Sequence, residues 1–245
     1  MALTYFISDV HLGFESKTHP ENEEAKMERL LGFLEHVRTT GERLIIAGDL
    51  FDFWFEYRHV VPRGYHRLYT KLEQLTSRGI EVRFLAGNHD FWIGKFFPKV
   101  LGVQIEKKPF ELGIAGRRFY IAHGDGFAKN DTGYLILRRI LRNKLSVALF
   151  SMIHPTMAFG IARMVSKKSR DYTGTKNYGE EDGMKEFAER MLNEGFDYVI
   201  MGHRHIPLYH IMEKGVYVNL GDWMVHNSYA VFDETELHLK TWKTL

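Results

Sequence analysis

Five short polar signatures, each following an apolar run, constrain this chain more than any other feature. They are Asp9-Val10-His11, Gly48-Asp49-Leu50-Phe51-Asp52, Gly87-Asn88-His89-Asp90, His123-Gly124-Asp125 and Gly202-His203-Arg204-His205. Short apolar runs such as Leu44-Ile45-Ile46-Ala47 read as buried strands. In layered α/β sheets, ligand-binding residues gather beyond the carboxyl ends of the strands. The Gly-led turn at 202–205 is the anchor, because it aims two imidazoles at one place. One such tripeptide means little. Five in series, all supplying Asp, Asn or His, lead to the expectation of a dinuclear metal site.

The rest of the chain sets the frame. Leu3 to Ser8, Leu44 to Ala47 and Val82 to Ala86 read as buried strands, while Glu21–Thr40 and Arg63–Arg78 read as amphipathic helices, the second stopped by Gly79. Strand and helix in alternation argue for a layered α/β sheet. Beyond Pro98 the rhythm turns to β, with short strands at Val103–Glu106, Phe110–Ile114 and Arg117–Ala122 and a core strand at Asp197–Met201. A closing meander follows at 207–213, 216–220, 229–232 and 237–241. An α/β/β/α sandwich, one domain over 1–245, is the economical architecture.

The segment from Phe127 to Tyr178 interrupts the strand pattern. It is helical in period and holds ten Lys or Arg (Lys129, Arg138, Arg139, Arg142, Lys144, Arg163, Lys167, Lys168, Arg170, Lys176) against Asp131 and Asp171. It therefore carries +8 of a chain whose formal net charge is +2. A hairpin with a solvated basic face is one reading. A helical cap at about 127–178 over the metal site, apolar on one side and phosphate- or membrane-facing on the other, is the favoured one.

Composition narrows the chemistry. The absence of Cys excludes thiolate metal sites, thiol nucleophiles and disulfides. The near-neutral total by itself suggests no nucleic-acid or membrane partner, and no obligate protein partner is evident. No basic-then-apolar leader precedes Asp9, and the longest uncharged run, Leu145–Ala162, is broken by His154-Pro155. Neither a signal peptide nor a membrane span is therefore expected. Asp, Asn and His donors suit Mn²⁺ first, with Fe²⁺, Zn²⁺ or Mg²⁺ as alternatives. A bridging carboxylate, for which Asp49 is the natural residue, holds two such ions roughly 3.5–4 Å apart and so supports in-line displacement at phosphorus.

On these five signatures the chain resembles the calcineurin-like metallophosphoesterases. The resemblance assigns Asp9, His11, Asp49 and His205 to one ion and Asp49, Asn88, His123 and His203 to the other. It makes His89 the histidine facing the substrate phosphate and Asp90 the acid that orients it. A closer resemblance, to the UDP-2,3-diacylglucosamine diphosphatases, rests on three features. They are Asp49-Leu50-Phe51-Asp52-Phe53-Trp54, Asp90-Phe91-Trp92-Ile93-Gly94, and the basic insertion with Asp131 and Tyr134 at the subfamily's offsets. It implies hydrolysis of a lipid-linked nucleotide to UMP and 2,3-diacylglucosamine 1-phosphate. It also implies a cytoplasmic enzyme peripheral to the inner membrane, with Arg163, Ser169, Arg170 and Lys176 as substrate contacts.

One residue departs from that subfamily. Many of its members have Arg after the metal-binding Asn, where this chain has His89. A phosphate leaving group needs charge stabilisation more than a proton donor. An alkoxide leaving from a simple phosphodiester benefits from a general acid such as His. A phosphodiesterase or nucleotide pyrophosphatase of other specificity therefore stays open, as does a membrane-surface binding module with structural metals. Of the remaining polar residues, Asp125 reads as a loop-orienting acid and Asp222 as a turn. His226 is a weaker site candidate, Asp52 is balanced between a turn cap and a ligand-orienting role, and Phe53 is read as core.

Overall fold

The computed structural model describes residues 2–13, 23–127, 132–161, 164 and 180–243, with all their side chains except those of 132–135, 137 and 180–182. Two sheets stack face to face. The first runs β11-β10-β1-β2-β3-β4, built from β1 (Leu3–Ile7), β2 (Gly41–Ile46), β3 (Glu81–Leu85), β4 (Gln104–Glu106), β10 (Ser228–Phe232) and β11 (Leu237–Thr241). The second runs β5-β6-β7-β9-β8, from β5 (Phe110–Ile114), β6 (Arg117–Ile121), β7 (Tyr198–Met201), β8 (Pro207–Met212) and β9 (Gly215–Leu220). Strands β1 to β4 are mutually parallel, as are β6, β7 and β9.

Side-chain alternation along the central strands creates the layers. On β1, Tyr5 and Ile7 enter the core shared with α1 (Glu23–Thr40) and α2 (His66–Ser77), while Phe6 points into the core between the sheets. On β2, Leu44 and Ile46 go one way and Ile45 the other. Because successive strand residues face opposite sides and both sides are covered, these strands read as continuous apolar runs. A third core lies between the second sheet and a helix at Glu180–Asn193. The order of layers is thus α/β/β/α.

Two expectations about the second half need correction. The four closing strands do not form one meander: β8 and β9 pair in the second sheet, whereas β10 returns antiparallel to β1 in the first. The turn at 221–227 carries the chain across, and local patterning cannot report which sheet a strand joins. The helix at Glu180–Asn193 also went unread, as did α3 (Phe96–Val100). Its buried residues Met184, Ala188 and Leu192 form a narrow stripe of period four within an acidic stretch.

Within the insertion, α4 (Thr132–Leu141), α5 (Lys144–Ser151) and the helical residues 155–161 contact the sandwich through aromatic rings. We number the helix at Glu180–Asn193 as α6. Phe150 packs against Phe55 and Trp92, with ring centroids 4.9 and 4.7 Å apart, and Phe159 against Phe53 at 5.2 Å. The Trp92 indole N–H donates to the Leu141 carbonyl at 3.1 Å, and the Tyr57 hydroxyl to that of Ile153 at 3.0 Å. Trp54 and Phe55, not Phe53, are the buried residues of this aromatic run: Trp54 is fully buried beside Phe51 and Phe97. Phe53 is half-buried and faces the inserted helices.

The core between the sheets holds the two halves of the site in register. Phe119 is at its centre, with ring centroids 5.8 Å from Phe6, 4.7 Å from Tyr198 and 5.0 Å from Phe232. Phe119→Ala is expected to lower unfolding stability by about 3–5 kcal/mol. Urea titration of the metal-free protein measures this, and a loss below about 1 kcal/mol would show that the ring cluster does not hold the sheets together.

Candidate metal centre

Backbone hydrogen bonds continue the strand pairing into the signature loops. Ala47 N–H donates to Ile7 O at 2.7 Å, Asp9 N–H to Gly48 O at 3.1 Å and His11 N–H to Asp49 O at 3.0 Å. From the second sheet, Gly202 N–H reaches His123 O at 2.9 Å, and Trp223 N–H closes the ring on Asp9 O at 3.1 Å. The loops pay in backbone strain: Asp9, His11, Asp49, His203 and His205 all have φ between 48° and 71°. Non-glycine residues in this region cost free energy and cluster at functional sites. At Gly48, with φ of +100°, a Cβ would collide with the His123 ring. Only glycine lets that strand end pass.

The first cluster joins Asp9, His11 and His205, whose ligand atoms all lie within 4.8 Å of one another. One oxygen of Asp9 is occupied: Oδ2 accepts the His203 N–H at 2.8 Å and the Ser8 hydroxyl. The other, Oδ1, is buried without a hydrogen-bond partner, 3.2 Å from His205 Nε2 and 3.7 Å from His11 Nε2. The second cluster joins Asp49, His123 and His203. Asn88 Oδ1 completes it, 2.9 Å from His123 Nε2 and 3.0 Å from His203 Nδ1. The His123 Nδ1–H is committed to Ala47 O at 2.8 Å, which leaves Nε2 as the free donor atom.

Asp49 stands between the clusters. Its Oδ2 is 3.2 Å from His123 Nε2 and 3.7 Å from His11 Nε2, and its Oδ1 accepts the His89 N–H at 2.9 Å. A carboxylate so placed belongs to both groups. Its loop is clamped by Asp90, whose oxygens accept the backbone N–H groups of Leu50 at 2.7 Å and Gly87 at 2.8 Å. Asp90, expected to orient His89, is thus spent on the backbone. The orienting partner is Asp52: its carbonyl lies 2.9 Å from His89 Nδ1, and its carboxylate lies 3.7 Å from that atom and 3.6 Å from His11 Nδ1.

Lys26 is the residue that sequence reasoning missed. It is buried at the start of α1 and donates to the His11 carbonyl at 2.7 Å. A lysine inside an acidic first turn gives no sign of an inward role. Asp125 turns away from the ligands to meet Arg138 at 3.2 Å and Arg142 at 3.5 Å. Asp222 caps the 222–226 turn, accepting three backbone N–H groups and pairing with His226 at 3.1 Å. Among the expected substrate contacts, Asp131, Arg163, Ser169, Arg170 and Lys176 lie outside the described residues, and only the backbone of Tyr134 is described, within α4.

The donors fit divalent ions: neutral-capable imidazoles, carboxylates and one amide oxygen, without thiolate, gathered in two groups around a shared carboxylate. Without ions, the acids are balanced by protons. Burial alone would lower His11, but hydrogen bonds to Asp52 and Asp9 and the charge of Asp49 raise it to about 10. His123 rises well above its ordinary value through Asp49, again against burial. His89 is lowered, chiefly by burial, and is neutral at pH 7. Burial and the Asp49 charge push Asp90 up to about 7.

Metal binding requires unprotonated imidazole. Loading the metal-free protein near pH 7 is therefore expected to release about two protons, from His11 and His123, and affinity rises with pH up to about 10. Titration calorimetry in buffers of different ionisation enthalpy reads the number directly, and zero release would overturn the protonation scheme. Asp52→Asn, which weakens the hold on His89 and His11 together, is expected to reduce turnover or metal affinity about 10–100-fold. Unchanged values for both would leave Asp52 with a purely structural role.

Residues 3–207 match the calcineurin-like phosphoesterase family. The UDP-2,3-diacylglucosamine hydrolase of Porphyromonas gingivalis (strain ATCC BAA-308 / W83) is 35% identical over 97% of this chain and 96% of its own length. The enzyme of the same name from Neisseria gonorrhoeae (strain ATCC 700825 / FA 1090) is 32% identical over 94% and 92%. Among solved structures, a novel archaeal phosphodiesterase superposes with a TM-score of 0.51 at 12% identity, covering 97% of this chain and 98% of that one, which is a likeness of fold. The chain belongs to the calcineurin-like phosphoesterase family and is a metal-dependent hydrolase.

Proposed function

We propose that the protein hydrolyses the diphosphate of UDP-2,3-diacylglucosamine to UMP and 2,3-diacylglucosamine 1-phosphate. The observation that carries this reading is the pair of donor clusters sharing Asp49, with Arg138 and Arg142 of the insertion reaching Asp125 and Gly87 beside them. The full-length similarity to hydrolases of that name supports the substrate. Asp9, His11, Asp49 and His205 would hold one divalent ion, and Asp49, Asn88, His123 and His203 the other, with Mn²⁺ the first choice. When bound, such ions supply an activated water and neutralise charge on the phosphoryl oxygens. The protein's own part is positional: Asp90 fixes the Asp49 loop, Lys26 the His11 turn and Asp52 the His89 ring.

Residues 127–178 act as the cap in this reading. Its described helices expose Ile136, Ile140, Leu145, Leu149 and Met152, the last 82% accessible. Arg139 and Lys144 are exposed among them. An apolar face edged with cations suits acyl chains and the anionic surface of the inner membrane from the cytoplasmic side. No described helix is long and apolar enough to cross a membrane. Asp131, Tyr134, Arg163, Ser169, Arg170 and Lys176 remain the proposed contacts to the sugar phosphate. A second reading, a phosphodiesterase of other specificity, is kept open by the presence of His89 after Asn88, its ring held through Nδ1 at Asp52 O.

The test is Mn²⁺-dependent release of UMP from UDP-2,3-diacylglucosamine, with bis-p-nitrophenyl phosphate as comparator. Release is expected to depend on the acyl chains and to fall on the order of 100-fold or more in Asn88→Ala and His123→Ala. Turnover of the comparator with none of the lipid would reject the substrate and leave the phosphodiesterase reading.

A further inference from the structure

Each sheet ends in two edge strands, and an edge leaves a row of backbone N–H and C=O groups facing away from the sheet. Short strands and charged side chains are the usual protection against pairing with another chain. Three of the four edges here have it: β4 is three residues long, β5 carries Glu111, and β11 carries Lys240. β8 does not. Its six residues, Pro207–Met212, hold no Lys, Arg, Asp or Glu. Ile206, Tyr209 and Ile211 are exposed along it, Ile211 to 74%. Among the described residues, β9 is its only partner strand.

The β8–β9 hairpin decides which backbone groups face outward. Its turn is Glu213-Lys214, with Met212 opposite Gly215. Antiparallel pairs alternate between those that exchange two backbone hydrogen bonds and those that exchange none. Val216, opposite Ile211, sends its N–H the other way, to Asp197 O at 2.9 Å. Ile211 is therefore in a non-bonded pair, as is Tyr209 two residues earlier, and both turn N–H and C=O to the free edge. Pro207, the next in that series, has no N–H and blunts only the start of the strand.

Register and charge both select a second copy of this chain. A two-fold axis normal to the sheet brings β8 antiparallel to itself. Centring the axis on His210 sets Tyr209 against the partner's Ile211, and Ile211 against the partner's Tyr209. That register uses the outward N–H and C=O of both residues, leaves Pro207 out, and makes two aromatic–β-branched cross-strand pairs. Charge runs along the same wall of the sandwich. At the hairpin end, Glu213, Glu234 and Glu236 are exposed and outnumber Lys214. At the ligand-loop end, Lys240 and Lys243 are exposed. The two-fold axis sets each acidic end against the partner's basic end.

We propose that the protein forms a two-fold dimer through β8, joining two five-stranded sheets into one continuous sheet with His210 at the axis. β8 begins two residues beyond the candidate ligand His205, so the pairing also braces the turn that aims His203 and His205. The dimer does not depend on the identity of the substrate.

Sedimentation equilibrium of the full chain is expected to show monomer and dimer exchanging with a Kd of roughly 1–100 µM, because one strand pair buries less than a standard interface. Ile211→Lys, at an exposed position, is expected to weaken association about tenfold or more. An unchanged melting temperature of the dilute, monomeric protein verifies its folding. The chain has no Cys, so a single introduced thiol reports the geometry. Opposed residues of a non-bonded antiparallel pair have Cα atoms about 4.5 Å apart, within disulfide range. His210→Cys is therefore expected to cross-link into a dimer under mild oxidation. Lys214→Cys is not, since its two copies lie roughly 27 Å apart in this register. A monomer at every concentration up to about 500 µM would overturn the proposal and leave the edge to a foreign strand. Association indifferent to Ile211→Lys, or equal cross-linking of the two thiol variants, would place the contact elsewhere and overturn it as well.

Discussion

The structure turns on the burial of Asp49. Its carboxylate is shut away from water between His11 and His123, and Asp9 and Asp90 are buried within the same loop cluster. Burying several acids together is unfavourable unless each is matched by cations or N–H donors. The protein meets this in layers. Imidazoles face Asp9 and Asp49, backbone amides take up Asp90, and Asp52 stands behind His11 and His89. Asp9 Oδ1 is faced by His11 and His205 but accepts a hydrogen bond from neither. A divalent cation is the species that suits such a remainder.

That electrostatic demand explains the scaffold around it. Loops held at positive φ are tolerated because both strand ends beneath them are locked into buried parallel sheets. The two sheets deliver different ligands. β1 and β2 bring Asp9, His11 and Asp49, and β6 and β7 lead into His123 and His203, so the aromatic core between the sheets sets the distance between the clusters. Asn88 and its neighbours come from β3, clamped to the Asp49 loop by Asp90. The inserted helices are then fastened over this end by Phe150, Phe159 and Trp92, and by Arg138 and Arg142 reaching back to Asp125 and Gly87. The basic residues of the insertion therefore divide in role: some are exposed, and these two guanidiniums turn inward to the site.

Much of this was legible from residue order alone. The apolar runs ahead of the signatures located β1, β2 and β7, whose residues nearest the site are buried on both faces, and the apolar ends of β3 and β6 located those two. The chemistry of the donors was equally plain, since Asp, Asn and His without Cys leave few alternatives. Side-chain direction was less accessible. Asp90 and Asp52 are each two to three residues from a candidate ligand, and only the turn geometry decides which carboxylate meets the backbone and which meets His89. Phe53 and Trp54 are adjacent aromatics, and which of them enters the core depends on which neighbouring surface is present.

By itself, the sequence determined the layered α/β class and the set of residues that converge, because hydrophobic period and donor chemistry are local properties. Only the tertiary structure decided how the closing strands are shared between two sheets, that Glu180–Asn193 covers the second one, and that Lys26 and Arg142 turn inward. It alone placed Lys107 and Lys108 beside His123, across a span of chain that no motif connects. The reason is common to all of these. They are set by pairings between segments far apart in the chain, where the free energy depends on what the partner surface offers and not on the residue's own neighbours.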